Sequence, residues 1–189
     1  FDAGLSFRSV LEDPNSLPMK GKRADTLREQ ISLKSGASEE FEIRARRYIA
    51  AAETNQSQIV TYQHQAYPKR VLDSNYPVPI LFARGATGAL NPGRAVACVG
   101  SRQIRPPFSD RQDEFARCAT GAAFSVVSGF ALGADSIAHR ASFETGGSTV
   151  CVMPGGLDRP FPPENREFWR QLLDYPKAVF VSESPFGSL

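Results

Sequence analysis

The sequence is poor in the residues that most often announce a mechanism: its 189 residues hold three cysteines, two histidines and one tryptophan. Cys98, Cys118 and Cys151 are far apart, with no CxxC pair and no Cys/His cluster at zinc spacing, so neither a structural zinc site nor a dithiol redox motif is encoded. Cys98 and Cys151 sit in apolar runs and Cys118 in a helical pattern, which suits buried free thiols in a reducing compartment. No apolar run approaches the roughly 18 residues of a membrane span, and the first residues lack a signal peptide's charged-then-apolar layout. The chain therefore reads as soluble and cytoplasmic; it begins at Phe1, as a processed product or a fragment would. The formal net charge is only +2 and the pI about 8.5, so no global field marks a nucleic-acid binder and any anion site must be local. A strict GxGxxG and a GxxxxGK[ST] are both missing, which removes support for a dinucleotide fingerprint and for a nucleotide-hydrolysing P-loop.

What is present falls into four stretches. Residues 1–37, with "DPNSLP", "KGK" and "KSG", are polar and turn-rich, an arm or linker. Residues 38–66 form a helical N-terminal region. In "SEEFEIRARRYIAAAE", Ser38 offers an N-cap hydroxyl, and Phe41, Ala45, Tyr48, Ile49 and Ala52 share one helical face. Arg44, Arg46 and Arg47 lie off that face and read as a solvated flank. Residues 67–94 make a proline-rich connector around the apolar run "VPILFARG".

From 95 to 189 short, continuously apolar strands alternate with helices. "AVACVG" precedes a helix with capping-box spacing at Ser109 and Gln112 and an apolar stripe of Phe115, Ala116, Ala119 and Ala122. "FSVVSG" leads to a helix that Asp135 is placed to cap, with Ile137, Ala138 and Ala141 inward. "STVCVMPGG" leads to a helix from about Glu164 carrying Phe168, Trp169, Leu172 and Leu173, and "KAVFVSES" ends the series. Strands apolar throughout are covered on both faces, so the expected fold is α/β: a Rossmann-like parallel sheet with helices on both faces, preceded by the small helical region. Right-handed crossovers then put "GSR", "SG", "PGG" and "SES" on one rim, where ligands bind in such sheets.

Glycines at strand-to-helix turns let backbone amides approach an anion, and Gly100, Gly129, Gly133, Gly155 and Gly156 are all so placed; equally, such loops need glycine simply to turn. Arg102, directly after Gly100 and Ser101, has the fork to hold a phosphate, or to pair with Asp135. Ser128, Asp135 and His139 do not make a hydrolytic triad: Asp135 and His139 are i, i+4 on one helix, and Ser128 is not in a GxSxG elbow. Asp135 reads instead as the cap of its helix and His139 as fixing a loop or the sheet edge by a hydrogen bond, so that the cluster builds and braces a loop. Arg159, Phe161 and Arg166 follow "PGG". Phe161 suits base stacking beside phosphate contacts, or packing beneath the proline-rich loop.

In order and spacing, "YPKRVLD", "PVPILFARG", "VACVGSR", "VVSGFALGADSIAHR", "GGSTVCVMPGGLDRPFPPEN" and "VSESPFG" resemble the DprA/Smf DNA-processing proteins over roughly residues 67–187. The resemblance implies an extended Rossmann-like fold, no catalytic residues, metal or cofactor, binding of single-stranded DNA, delivery of that DNA to the recombinase RecA in natural transformation, and a homodimer in the full-length form. Carried over by position, it implies phosphate or DNA contacts at Gly100, Ser101, Arg102, Ser128, Gly129, Gly133, Asp135, Gly155, Gly156, Phe161, Asn165 and Arg166. The chain departs from the family pattern at "QIRPPF" after "GSR", at Ala134 and at Phe161. It also stops at "SPFGSL", where relatives continue, which leaves the sheet short of a flank that further chain or a partner would cover. A competing reading is a nucleotide-binding sensor, or a phosphoribohydrolase-like domain using the same rim. Those enzymes follow Pro-Gly-Gly with Gly-Thr and a glutamate, whereas here "LDRPFPPE" follows.

Overall fold

The structure, a computed structural model, describes residues 38–75 and 78–188 together with Asp25 and Glu29, both helical and exposed. The arm expected over residues 1–37 otherwise lies outside the described residues. The chain divides into two compact units, Phe1–Arg47 and Tyr48–Leu189.

Helix α1 is Ser38–Thr54. Its charged flank is solvated and laced by i, i+4 pairs, Arg44 to Glu40 at 3.0 Å and Arg46 to Glu42 at 3.9 Å. The apolar face is narrower than its periodicity suggests. Ala52 is buried and Tyr48 meets the edge of Phe82, but Ala45 and Ile49 are exposed.

Strand β1 (Ser57–Thr61), a single helical turn α2 (Lys69–Leu72) and strand β2 (Ile80–Gly85) follow. These revise the reading of 38–66 as purely helical and of 67–94 as a connector. β1 and β2 pair antiparallel, and β2 pairs antiparallel with the last strand of the sheet. The cause lies in alternation along β2: Leu81 and Ala83 enter one hydrophobic core and Phe82 the other, as a strand buried on both faces requires.

The remainder is β3 (Ala95–Ala97), α3 (Phe108–Gly121), β4 (Ser125–Ser128), α4 (Ala134–Glu144), β5 (Thr149–Val152), α5 (Arg166–Leu173) and β6 (Ala178–Ser182). The sheet order is β1-β2-β6-β5-β4-β3, with β3 to β6 mutually parallel. Those four strands advance in one direction, so right-handed crossovers put α3, α4 and α5 on the same face. There Phe130, Cys151, Phe168, Trp169, Leu172 and Phe180 form an aromatic core, and Ala116, Ala138 and Ala141 pack on Cys98 and Val126. The other face holds Val60, Tyr67, Leu81, Val150, Val179 and Val181 under α2 and a 3-10 turn at Thr87–Leu90. Helices thus lie on both faces, unequally. An apolar groove of about 460 Å³ stays open over Val127, Val150, Val152 and Val181. β1 and β3 are the edge strands, and the last strand, β6, is covered by β2.

Helix α3 departs from its expected start and face. It opens at Phe108 rather than behind a Ser109 cap, because Pro106 and Pro107 set the entry and the Arg105 carbonyl accepts the N–H groups of Phe108 and Ser109. The Ser109 hydroxyl turns to the Asp110 carboxylate. Ala116 is fully buried, while Phe115, Ala122 and Cys118 are exposed, so Cys118 is not a core thiol like Cys98 and Cys151.

Candidate functional site

The parallel strands deliver their C-terminal ends to one rim, where the loops 98–107, 129–133, 153–165 and 183–188 meet. At the end of β4 the buried Ser128 hydroxyl donates to the Cys98 carbonyl, tying β4 to the exit of β3. The chain then turns through Phe130, whose φ of 59° is in the left-handed region. In that conformation the N–H groups on either side of Phe130 converge: Gly129 at 3.1 Å and Ala131 at 3.3 Å both donate to Oδ2 of Asp135. The Phe130 ring is wholly buried, stacked on Phe168 and edge-on to Trp169 and Phe180. Asn165 completes the clamp, with Nδ2 donating to the Phe130 carbonyl and the Ser136 hydroxyl, each at 2.9 Å. Asp135 therefore braces the preceding loop instead of capping α4, whose N-cap is Gly133.

Gly133, at φ 79°, is where two rim loops cross. A Cβ here would run into the Ser101 carbonyl oxygen and come within 2.7 Å of the Arg102 carbonyl. The Ala134 N–H donates to the Ser101 carbonyl at 3.1 Å, and a Cβ on Gly100 would lie 2.7 Å from that of Ala134. The Ser101 hydroxyl accepts the Gln103 N–H at 3.1 Å, closing a small turn at whose apex Arg102 is exposed.

Gly155 and Gly156 are buried, and the Gly156 N–H donates to the Ser188 carbonyl at 3.1 Å. Asp158 accepts the Gly187 N–H at 2.9 Å. Arg84 of β2, absent from the sequence reading, donates from Nη1 to the Leu157 carbonyl at 3.0 Å and lies over Trp169. Burial lowers its pKa from the ordinary arginine range, opposed by the charge of Asp158.

The twelve anticipated contacts thus divide. Arg102, Gly129 and Phe161 come together in one cleft of about 90 Å³, completed by Ala131, Leu132, Pro154 and Pro162. Gly100, Ser101 and Arg166 are exposed on the rim outside that lining. Ser128, Asp135, Gly155, Gly156 and Asn165 are buried behind it, and Gly133 is filled by the crossing of two loops. Among the described residues Arg102 makes no ion pair, with Asp135 or any other acid. Phe161 is 47% exposed, so it is not packed away under its loop. Phe130, the residue around which the braced half is built, carried no signal in the sequence beyond its apolar character.

Ser128, Asp135 and His139 do not form a hydrolytic triad. His139 is wholly buried, its Nδ1 2.6 Å from the Thr149 hydroxyl and 3.7 Å from the Cys151 sulfur. The Thr149 hydroxyl also reaches the Val126 carbonyl at 3.1 Å, tying β5 to β4 beside the ring. Burial lowers the His139 pKa to about 4 and pushes the thiols of Cys98 and Cys151 up. The Ser128 hydroxyl and the Asp135 carboxylate are both committed to backbone, leaving His139 without triad partners and tied through Thr149 to β5, an inner strand, rather than to a loop or the sheet edge.

Comparison with known proteins matches residues 58–188 to the family described as DNA recombination-mediator protein A. Protein Smf of Synechocystis sp. (strain PCC 6803) is 30% identical over 137 residues, covering 69% of this chain and 33% of that protein. DNA processing protein DprA of Bacillus subtilis is 26% identical over 147 residues, covering 78% of this chain and 49% of that protein. The chain therefore spans a third to a half of these relatives. Among solved structures, DNA processing protein A from Streptococcus pneumoniae superposes with a TM-score of 0.71 at 20% identity, over 98% of this chain and 65% of that one. DNA processing protein A from Helicobacter pylori, described for its single-stranded DNA binding mode, gives 0.59 at 24% identity, over 71% of this chain and 58% of that one.

Proposed function

The chain belongs to the DNA recombination-mediator protein A family, and from that premise we propose that it binds single-stranded DNA along the rim and catalyses no reaction on it. Arg102 takes a phosphate, with Arg166 and the exposed backbone of Gly100 and Ser101 beside it, and Phe161 offers a face to a base. Ser128, Gly129, Gly133, Asp135, Gly155, Gly156 and Asn165 hold the shape of that surface. The same reading extends to a homodimer that presents the strand to a RecA-type recombinase during DNA uptake. The single-stranded DNA binding mode described for the Helicobacter pylori relative supports the ligand class.

One observation carries the reading furthest: an arginine with no ion pair among the described residues and a half-exposed aromatic flank a cleft of only about 90 Å³. Pockets that enclose a small molecule begin at roughly 300 Å³. A cleft this small suits an open strand passing over the rim better than an enclosed free nucleotide.

Titration with a fluorescent oligothymidine and with its duplex form, over a series of salt concentrations, tests this with wild type and Arg102→Ala side by side. The expected result is salt-dependent binding that prefers the single strand, with the slope of log affinity against log salt falling by about 0.7 in the variant. An unchanged slope would remove Arg102 from the contact, and no binding at low salt would return the rim to the nucleotide-sensor reading.

A further inference from the structure

The segment "RQIRPPFSDR", where this chain leaves the family pattern, carries four side chains at intervals of three: Arg102, Arg105, Phe108 and Arg111. All four are exposed, Phe108 at 64%, and among the described residues none of the three arginines is in an ion pair. Arg102 belongs to the rim cleft, and Arg105 lies in the loop that leaves it. Phe108 and Arg111 occupy the first turn of α3, about 60° apart around the helix.

The acids of this region are Asp110, Asp113 and Glu114. Asp113 is held by Arg117 at 2.7 Å. Asp110 and Glu114 lie about 160° and 120° around the helix from Phe108, away from its ring, although Glu114 is about 60° from Arg111. Of the charged groups in the first turn, Arg111 is the one on the Phe108 side.

We propose that Arg105, Phe108 and Arg111 form a second single-strand subsite, continuous with the rim, in which a base stacks on Phe108 and the two arginines take the flanking phosphates; this rests on the rim reading above. An unpaired aromatic bracketed by unpaired arginines is the arrangement that sequence-tolerant single-strand binding uses. A large exposed phenylalanine at a helix start has otherwise no packing role here. The charge complementarity selects a polyanion over a second copy of the chain, although Phe115 and Cys118 continue the same exposed flank of α3. The consequence is a length dependence: a short oligomer fills the rim cleft alone, and a longer one reaches Phe108.

The test compares oligothymidines of roughly four and about twelve nucleotides, within the span of known single-strand site sizes. Phe108→Ala should weaken the longer oligomer by roughly fivefold to thirtyfold and leave the shorter one unchanged. Arg105→Ala and Arg111→Ala should each lower the salt slope for the longer oligomer alone, by about 0.7. Phe108→Trp keeps a stacking face and adds an exposed fluorophore. Its emission should be quenched by the longer oligomer and not by the shorter.

Equal affinities of Phe108→Ala and wild type for the longer oligomer, or an unquenched Phe108→Trp, would overturn the subsite while leaving the rim reading intact. A change of oligomeric state in Phe108→Ala with DNA affinity unaltered would reassign this flank of α3 to a protein interface. Failure of both oligomers to bind wild type would overturn the rim reading and the subsite together.

Discussion

Two loops meet at the rim and are built on opposite plans. In the Phe130 loop the polar groups are spent inside the protein: Gly129 and Ala131 on Asp135, the Phe130 carbonyl on Asn165, and the Ser128 hydroxyl on Cys98. In the Arg102 loop the Ser101 carbonyl accepts the Ala134 N–H, and the side chains of Arg102 and Arg105 are left in solvent. One loop is braced from within and the other, on the reading proposed above, is left free to make contact, although both read in the sequence as glycine-rich turns at strand ends. A glycine at such a turn marks a close approach; whether the approaching partner is an anion or another loop depends on what lies across from it.

The sharpest way to break the comparison is at the point where the two loops touch. Gly133→Ala places a Cβ against the Ser101 carbonyl at a backbone φ that side chains rarely adopt. The expected loss is about 3 kcal/mol or more, read as a fall in the urea midpoint. Because the clash pushes on Ser101 and Arg102, DNA affinity should fall with stability. Retention of wild-type stability would mean the loops part easily and the scaffold is softer than its contacts imply.

The scaffold side has its own pH signature. His139 titrates near 4 in the folded protein and near 6.5 when unfolded, so between those values the unfolded chain binds the extra proton. Stability is therefore full above about pH 6.5 and declines as the pH falls toward 4, by about 3 kcal/mol over that window. Urea titrations at a series of pH values should show this slope in wild type and a shallower one in His139→Gln. The same slope in both would assign the acid sensitivity to other groups.

The division between scaffold and contact also explains what was legible in the sequence. β3 to β6 were readable because each is a short apolar run bounded by glycine or serine, and their crossover helices follow within the expected spacing. β1 and β2 were not: "SQIVT" carries a single fully buried side chain and "ILFARG" lies among prolines, and β2 finds its partner β6 about a hundred residues later. The exposed turn that carries Arg102 was visible from "GSR" because its geometry is local. Asp135 was visible as a helix cap, whereas the partners it takes, the Gly129 and Ala131 N–H groups, were not. Its two donors converge only because Phe130 takes a left-handed conformation, which no local residue preference announces. Asn165 acts on a carbonyl 35 residues away, and Arg84 on one 73 residues away. Such roles exist only in the folded chain.

The smallest effect on stability belongs to the contact side, and there it separates two kinds of contact. Phe161 is half exposed on its loop, so Phe161→Ala should change stability by no more than about 0.5 kcal/mol. Its expected cost in oligothymidine affinity is about 1 kcal/mol or somewhat more, as for the loss of one stacked base. A stacking contact releases no counterion, so the salt slope should stay at the wild-type value, whereas loss of Arg102 lowers it. Parallel lines of log affinity against log salt for wild type and Phe161→Ala, set beside a shallower line for Arg102→Ala, would assign the base to one side of the cleft and the phosphate to the other. A slope lowered equally by both substitutions would mean that Phe161 acts by positioning Arg102, and the aromatic would then join the scaffold.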